Sequence, residues 1–327
     1  MAGKAFNGTV IEPVISPEQQ ALVPDISGND INGLGETETR SPTAIYWQHP
    51  NQIAHGALQM WMLEKSVRDV PETGDMENNF GGRGNRDRVP MAPEPVQDTP
   101  ENFASAAKMI ALENEADLVG ITALHPDWVY QGHDVDLPNI VVLGLEMDHA
   151  ELATAPEPPS IREVMAQYNR GTRAARALAD WILARGYRAH AHGGPTGGPL
   201  TMIPAALACG FGELGKHGSI INREFGSSFR LAAVATDMPL THDQPDIFGA
   251  DDFCQSCQVC TKACPPDAIT PDKQQVRGET KWYVNFDKCV PYFNETYGCG
   301  ICIAVCPWSR PNVRPNLLQK TLRKRAG

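Results

Sequence analysis

The chain has 327 residues, 42% of them hydrophobic, and a formal net charge of −11. That length holds one large folded domain and a smaller one, and the acidic balance argues against nucleic acid as the main partner. No apolar run reaches the roughly 20 residues of a membrane-spanning helix. The opening Met-Ala-Gly-Lys-Ala-Phe has neither a twin-arginine pair nor a hydrophobic secretory segment, so the expected location is the cytoplasm, with no stable membrane segment.

Residues 1–100 are poor in periodic pattern and rich in Pro, Gly, Asn and Asp, which predicts an irregular N-terminal region. Within it 53–67 reads as a helix and 70–100 as a long exposed excursion, most loop-like from Phe80 to Arg86. From there the pattern tightens. Phe103 to Glu115 reads as an amphipathic helix with Ala106, Ala107, Ile110 and Ala111 on one face. Asp117 to Ile121 reads as a buried strand. Asn139 to Leu145 is apolar on both faces and therefore expected at the centre of its sheet. Residues 160–186 predict the longest helix, with Ser160 as N-cap and Glu163 completing a capping box. Its apolar stripe runs from Ile161, Val164, Met165 and Tyr168 to Leu178, Ile182 and Leu183, and Gly186 ends it. Tyr187 to Ala191 is a short strand before a Gly/Pro-rich loop at 193–199. A helix over 200–210 and a strand over Phe229 to Thr236 follow. Alternating helix and strand predict an α/β core over 101–245. Residues 246–327 read as a second, loop-rich domain ending in a solvated basic tail from Lys320 to Gly327.

Eight of the nine cysteines form two runs in that second domain. Cys254, Cys257, Cys260 and Cys264 are spaced C-x2-C-x2-C-x3-C and followed by Pro265; Cys289, Cys299, Cys302 and Cys306 repeat the pattern with a stretched first interval before Pro307. This is the spacing of bacterial two-cluster ferredoxins, in which a tight turn gives three thiolates to one cubane and the fourth cysteine crosses to the other. The expected ligand sets are Cys254, Cys257, Cys260 and Cys306 for one [4Fe–4S] cluster, and Cys289, Cys299, Cys302 and Cys264 for the other. Zinc favours C-x-x-C pairs without a trailing Cys-Pro, and disulfides are unusual at so ordered a spacing. Cys209, in the apolar run from Ala205, reads as a small buried hydrophobe.

The segments before the cysteines add a resemblance. Glu115 to Tyr130 resembles the strand-and-loop block that opens the corrinoid-binding domain of reductive dehalogenases. Tyr168 with Leu178 to Tyr187 resembles their catalytic-tyrosine helix. Gly210-Phe-Gly-Glu-Leu-Gly215-Lys-His, Glu224-Phe-Gly226 and Phe229-Arg230-Leu resemble their glycine-rich corrinoid loop and the following strand, and Thr236 to Leu240 leads into the first cysteine run in family order. The likeness covers roughly residues 100–310 and implies a nitroreductase-like, corrinoid-binding α/β core joined to a C-terminal ferredoxin-like domain with two [4Fe–4S] clusters. The implied cofactor is a cobalamin with its lower base displaced. In agreement, no histidine stands in the Asp-x-His-x-x-Gly device that ligates cobalt.

The resemblance implies a reaction and its parts. A small organohalide would lose halide, with electrons from an external low-potential donor such as a ferredoxin, flavodoxin or reductase. Tyr168 would give the proton, and because a phenol of pKa about 10 is a poor acid alone, Arg230, or else Lys216 or Arg223, would stabilise its phenolate. Tyr187, Gly194, Gly210, Gly212, Gly215, His217 and Gly226 would contact the corrinoid. Plainer readings stand beside these. Tyr168 lies on an apolar stripe and reads equally as a core tyrosine; Arg230 as an exposed residue on an edge strand; Lys216 as a contact to the corrinoid's nucleotide tail; His190 and His192 as structural. Epoxyqueuosine reductases share the cofactor plan, but their Asp-Tyr-His triplet, whose Asp is the proton donor, is here Gln167-Tyr168-Asn169. A ferredoxin-like carrier serving another corrinoid protein is the non-catalytic alternative; a flavin nitroreductase would leave the clusters without a use.

Overall fold

In the computed structural model, which describes residues 4–6, 9–74, 89–194 and 198–326, the chain runs through α1 (Gly56–Asp69), α2 (Pro100–Glu113), β1 (Leu118–Ala123), β2 (Asn139–Glu146), α3 (Pro158–Leu183), β3 (Ala189–His192), α4 (Met202–Ala208), β4 (Glu213–Leu214), β5 (Ile220–Ile221) and β6 (Phe229–Thr236). After β6 come α5 (Ala250–Ser256), α6 (Val259–Ala263), α7 (Phe286–Glu295), α8 (Ile301–Ala304) and α9 (Arg314–Ala326). The central sheet has the order β1-β2-β6-β3, and every neighbouring pair is antiparallel. The alternation of helix and strand therefore does not produce parallel βαβ units here.

Two-residue periodicity sorts the sheet into two faces. Val141, Leu143 and Leu145 of β2 and Ala232 and Val234 of β6 pack against α2 and α3 through Ala107, Ala111, Ala174, Ala175, Leu178 and Ile182. Ile140 and Val142, with Phe229 and Ala233, face α4 and Phe211 on the other side. β2 is buried along all of Asn139 to Leu145 because it is paired on both edges and covered on both faces. Arg230 has the parity of Ala232 and Val234, so it stands on the face that α3 covers.

α3 spans 26 residues and begins at Pro158 with Glu157 as N-cap. The expected capping box does not form. Ser160 donates to the Glu157 carbonyl at 3.1 Å, and Glu163 instead accepts from the Asp148 amide and from Gln167, both at 2.8 Å. The buried stripe also differs, since Gln167 and Asn169 are buried while Val164 and Met165 are only half-buried. Gly186, at φ +80°, turns the chain out of the helix as expected.

The N-terminal region carries more order than its composition predicts. Gln19 donates to the Pro291 carbonyl and to Glu295, Asn29 to Asp287 and Asn285, and Tyr46 to Asn294, so this region is fastened to α7. Of the expected excursion, 75–88 with the Phe80–Arg86 stretch lies outside the described residues. Residues 92–96 run alongside the end of α3 through Ala92 and Val96 amides bonded to Leu183 and Arg185. The basic end is helical and, as expected, solvated: Lys320 and residues 322–325 are exposed on α9, while Leu317 and Leu318 before them pack on the apolar shell of Phe248 and Trp308, and Arg325 lies 3.5 Å from Asp252. Among the described residues no helix is long and apolar enough to cross a membrane.

Candidate active site and cluster domain

Tyr168 is presented by α3 and Arg230 by β6, and the guanidinium carbon lies 5.5 Å from the centre of the tyrosine ring. Both line a cavity of about 290 Å³, together with Tyr46, Trp47, Tyr130 and Gly194. The Arg230 Nε atom is buried and finds no hydrogen-bond partner among the described residues. Arg230 also lines a second, larger cavity of about 840 Å³ on its other side. One cation therefore stands in the wall between two spaces, beside a phenol and, among the described residues, unpaired by a carboxylate. Tyr46 reaches the small cavity too, but its hydroxyl is committed to Asn294 at 2.8 Å and burial pushes its pKa well up.

The alternative cations are placed elsewhere. Arg223 is ion-paired with Asp246 and its guanidinium lies 4.7 Å from the Phe248 ring. Lys216 lines neither cavity; it lies over Trp282, 4.8 Å from the ring centre. Tyr187 is also not brought to the site. Its hydroxyl donates to the Val96 carbonyl at 2.9 Å and its ring packs edge-on to Phe103.

The glycine-rich loop folds back on itself, with β4 and β5 as its short hairpin. Gly212, at φ +120°, brings the chain so near β5 that a Cβ would sit 2.0 Å from the Ile221 carbonyl oxygen. Gly226, at φ +59°, presses against residue 308 in the same way, at 2.1 Å. These two glycines allow close approach of backbone to backbone. Gly210 and Gly215 likewise meet neighbouring protein atoms, of Gln244 and His217. Of the expected cofactor contacts, Gly194 lines the small cavity and His217 the large one.

His217 is fixed as one tautomer. Its Nδ1 accepts from the Ser219 amide at 3.2 Å, so its Nε2 carries the proton and donates to Ser227 Oγ at 3.2 Å. Burial pushes its pKa down to about 4, which keeps the ring neutral. Its one lone pair is already used, which suits a cavity group that does not ligate a metal. His190 is exposed and His192 buried at the start of the 193–199 loop, and neither lines these two cavities.

The eight cysteines lie close together, and Cys302 feels the charge of Cys260 as well as those of Cys299, Cys289 and Cys264. Cys306 feels the charges of Cys254 and Cys260, whereas Cys289 feels those of Cys299 and Cys264. Burial pushes the thiols of Cys254, Cys289, Cys299 and Cys306 up to about 12. Such thiols ionise at neutral pH only when a metal replaces the proton, so the donor set fits iron. Among the described residues no three His, Cys, Asp or Glu converge on a single-ion position. Ligands of a cubane need not, because its thiolates bind separate irons. Cys264, Cys289, Cys299 and Cys302 line the large cavity; Cys254, Cys257, Cys260 and Cys306 do not. Cys209 is buried beside Ala206, as expected.

One supporting residue was not foreseen. Glu213 is buried, and its carboxylate accepts from the amides of Phe248, Gly249 and Ala250 at 2.6–2.8 Å and of Asp251 at 3.3 Å. It thus caps α5, which carries Cys254 and whose own N-cap, Gly249, has no side chain. Glu213→Gln should weaken this junction by about 1.5–3 kcal/mol, the usual worth of a charged hydrogen bond. The expected result is faster iron loss to a chelator, with Tyr168 and the sheet undisturbed by circular dichroism.

Comparison with known proteins fits this geometry. Residues 253–309 match the family described as a 4Fe-4S dicluster domain. The chain is 29% identical over 273 residues to the tetrachloroethene reductive dehalogenase of Sulfurospirillum multivorans, covering 69% of this chain and 53% of that protein. It is 31% identical over 208 residues to the enzyme of the same name from Desulfitobacterium hafniense, covering 59% of this chain and 37% of that one. A shorter likeness, 35% over 121 residues, joins 32% of the chain to 35% of an epoxyqueuosine reductase of Leadbetterella byssophila. The solved catabolic reductive dehalogenase NpRdhA in complex with 3-bromo-4-hydroxybenzoic acid superposes with a TM-score of 0.72 at 22% identity, over 93% of this chain and 47% of that one. The chain thus spans about half the length, or less, of the dehalogenases it matches. Over that span it carries the reductive dehalogenase fold, with a 4Fe-4S dicluster domain at 253–309, and is a relative of the tetrachloroethene reductive dehalogenases.

Proposed function

We propose that this chain is a cobalamin-dependent oxidoreductase that removes halide from a small organohalide, with Tyr168 as proton donor and two [4Fe–4S] clusters as electron path. The observation that carries the reading is the shared wall. Arg230 lines both cavities, with Tyr168 on one side and the second cysteine set on the other. The larger cavity has the volume of a cofactor site and the smaller one that of a small ligand's site. Bound in the larger cavity, a corrinoid would supply the low-valent centre at which the carbon–halogen bond is reduced.

This chain's residues do the rest. Tyr168 holds its hydroxyl proton until carbon needs it, and Arg230 stabilises the phenolate left behind. Cys264, Cys289, Cys299 and Cys302 hold the cluster nearer the cavity. Cys254, Cys257, Cys260 and Cys306, which do not line that cavity, would hold the other cluster, the one an external low-potential donor would serve. His217, whose lone pair is engaged by the Ser219 amide, would not serve as a metal ligand, which agrees with a base-off corrinoid.

The test is the absorption and EPR spectrum of the protein reconstituted with iron, sulfide and cobalamin. The expected result is a base-off cobalt signal without axial nitrogen coupling, beside iron–sulfur absorption, and halide release under a low-potential reductant. Nitrogen coupling from an imidazole would overturn the base-off assignment. Clusters without stoichiometric corrinoid would favour a ferredoxin-like carrier.

A further inference from the structure

Lys216 is left without a task by the site described above, yet it is among the most completely buried side chains, 1% exposed. Its Nζ atom finds no hydrogen-bond partner among the described residues, and no carboxylate pairs with it there. A buried ammonium without an anion is costly. Two neighbours offset that cost. One is the face of Trp282, 4.8 Å from Nζ. The other is the first cysteine set: the Lys216 backbone hydrogen-bonds to Cys254, and the Lys216 charge reaches Cys260. Lys273 also lies on Trp282, but it is neutralised by Asp251 at 2.6 Å. Asp251 in turn accepts from Trp282 Nε1 at 2.6 Å, so the ring is held in place by the lysine's rival ion pair.

We propose that Lys216 is a potential-setting residue: its buried charge favours the reduced form of the cluster held by Cys254, Cys257, Cys260 and Cys306. The inference rests on the cluster assignment under the proposed function. A cubane with four thiolate ligands is anionic, and reduction adds one electron with no proton. The added negative charge appears beside a cation that solvent does not screen, so reduction becomes more favourable. The other cluster, whose ligands line the large cavity, lacks this neighbour. Lys216 does not itself line the large cavity, although the Trp282 ring it lies over does; its charge makes the farther cluster easier for an external donor to reduce.

The test is an EPR-monitored redox titration of the full chain loaded with both clusters, comparing the parent with Lys216→Met and Lys216→Arg. Methionine keeps most of the volume and removes the charge; arginine keeps the charge. Lys216→Met should lower the equilibrium constant for one-electron reduction of one cluster at least tenfold, about 59 mV, and leave the other in place. Lys216→Arg should restore the parent value. A Cys257→Ser background, which alters the signal of the first cluster only, identifies the one that moved. With about eight irons per chain present, two unmoved potentials, or two equal shifts, would overturn the proposal. A parent chain that holds no pair of clusters would instead overturn the cluster assignment. If Lys216→Met and Lys216→Gln both fail to load iron while Lys216→Arg loads normally, the residue serves assembly and the proposal falls.

Discussion

Tyr168→Phe should lower halide release by a factor on the order of 10²–10⁴, the contribution of a positioned acid, while iron and corrinoid content stay at parent levels. The substitution removes one oxygen and keeps the ring, which packs in the wall beside Arg230. Arg230→Gln should also slow the reaction, because it removes the cation that lies beside that ring among the described residues. The pair separates chemistry from packing. A tyrosine that merely fills space would leave the rate unchanged in Tyr168→Phe, and the measured outcome would then be parent-rate dehalogenation by a chain with intact cofactors. Tyr46 would be a poor substitute donor, since its hydroxyl is tied to Asn294 and burial disfavours its ionisation.

The second large effect concerns crossed ligation. Cys306→Ala should damage the cluster whose other ligands are Cys254, Cys257 and Cys260, although Cys306 is closer in sequence to Cys299 and Cys302. Cys264→Ala should damage the opposite one. Parent protein should hold about eight irons, and each variant should lose up to half of them, with one EPR signal surviving. The surviving signal should differ between the two variants. Cys209→Ser should leave the iron count untouched, because Cys209 sits against Ala206, in the apolar cluster with Phe211, and far from both runs in the chain. Loss of the same signal in both Cys306→Ala and Cys264→Ala would refute the crossing.

Much of the frame was legible where pattern and burial coincide. The strand Phe229–Thr236 has the expected bounds, and the strand Asn139–Glu146 is buried on both faces up to Leu145, as its apolar run implies. The cysteine runs were legible because metal ligation demands fixed spacing. Other features depend on partners distant in sequence. Glu163 looked like half of a capping box, yet the Asp148 amide and Gln167 claim it. The end of the chain is solvated as its charges imply, but its helical form was not legible, since Leu317 and Leu318, which seat it, precede the charged run. Tyr187 sits near the family-like helix block but turns towards Val96, a residue from the stretch that carried no pattern. The face on which Arg230 stands was not foreseen; it follows from β6 being an interior strand, paired on both edges and covered by α3. Glu213 was hidden in a glycine-rich loop, where the only signal was a lone acid among small residues.

The fastening of the N-terminal region to α7 has a consequence for synthesis. Tyr46 and its partner Asn294 are 248 residues apart. At about 5–20 residues per second, the ribosome delivers that partner tens of seconds after the tyrosine. Tyr46 and Trp47 therefore wait, unpaired, through most of translation, and the small cavity is among the last parts of the molecule to be enclosed. Nascent chains arrested before residue 286 should accordingly be cut by protease between residues 12 and 60, where released, loaded protein resists.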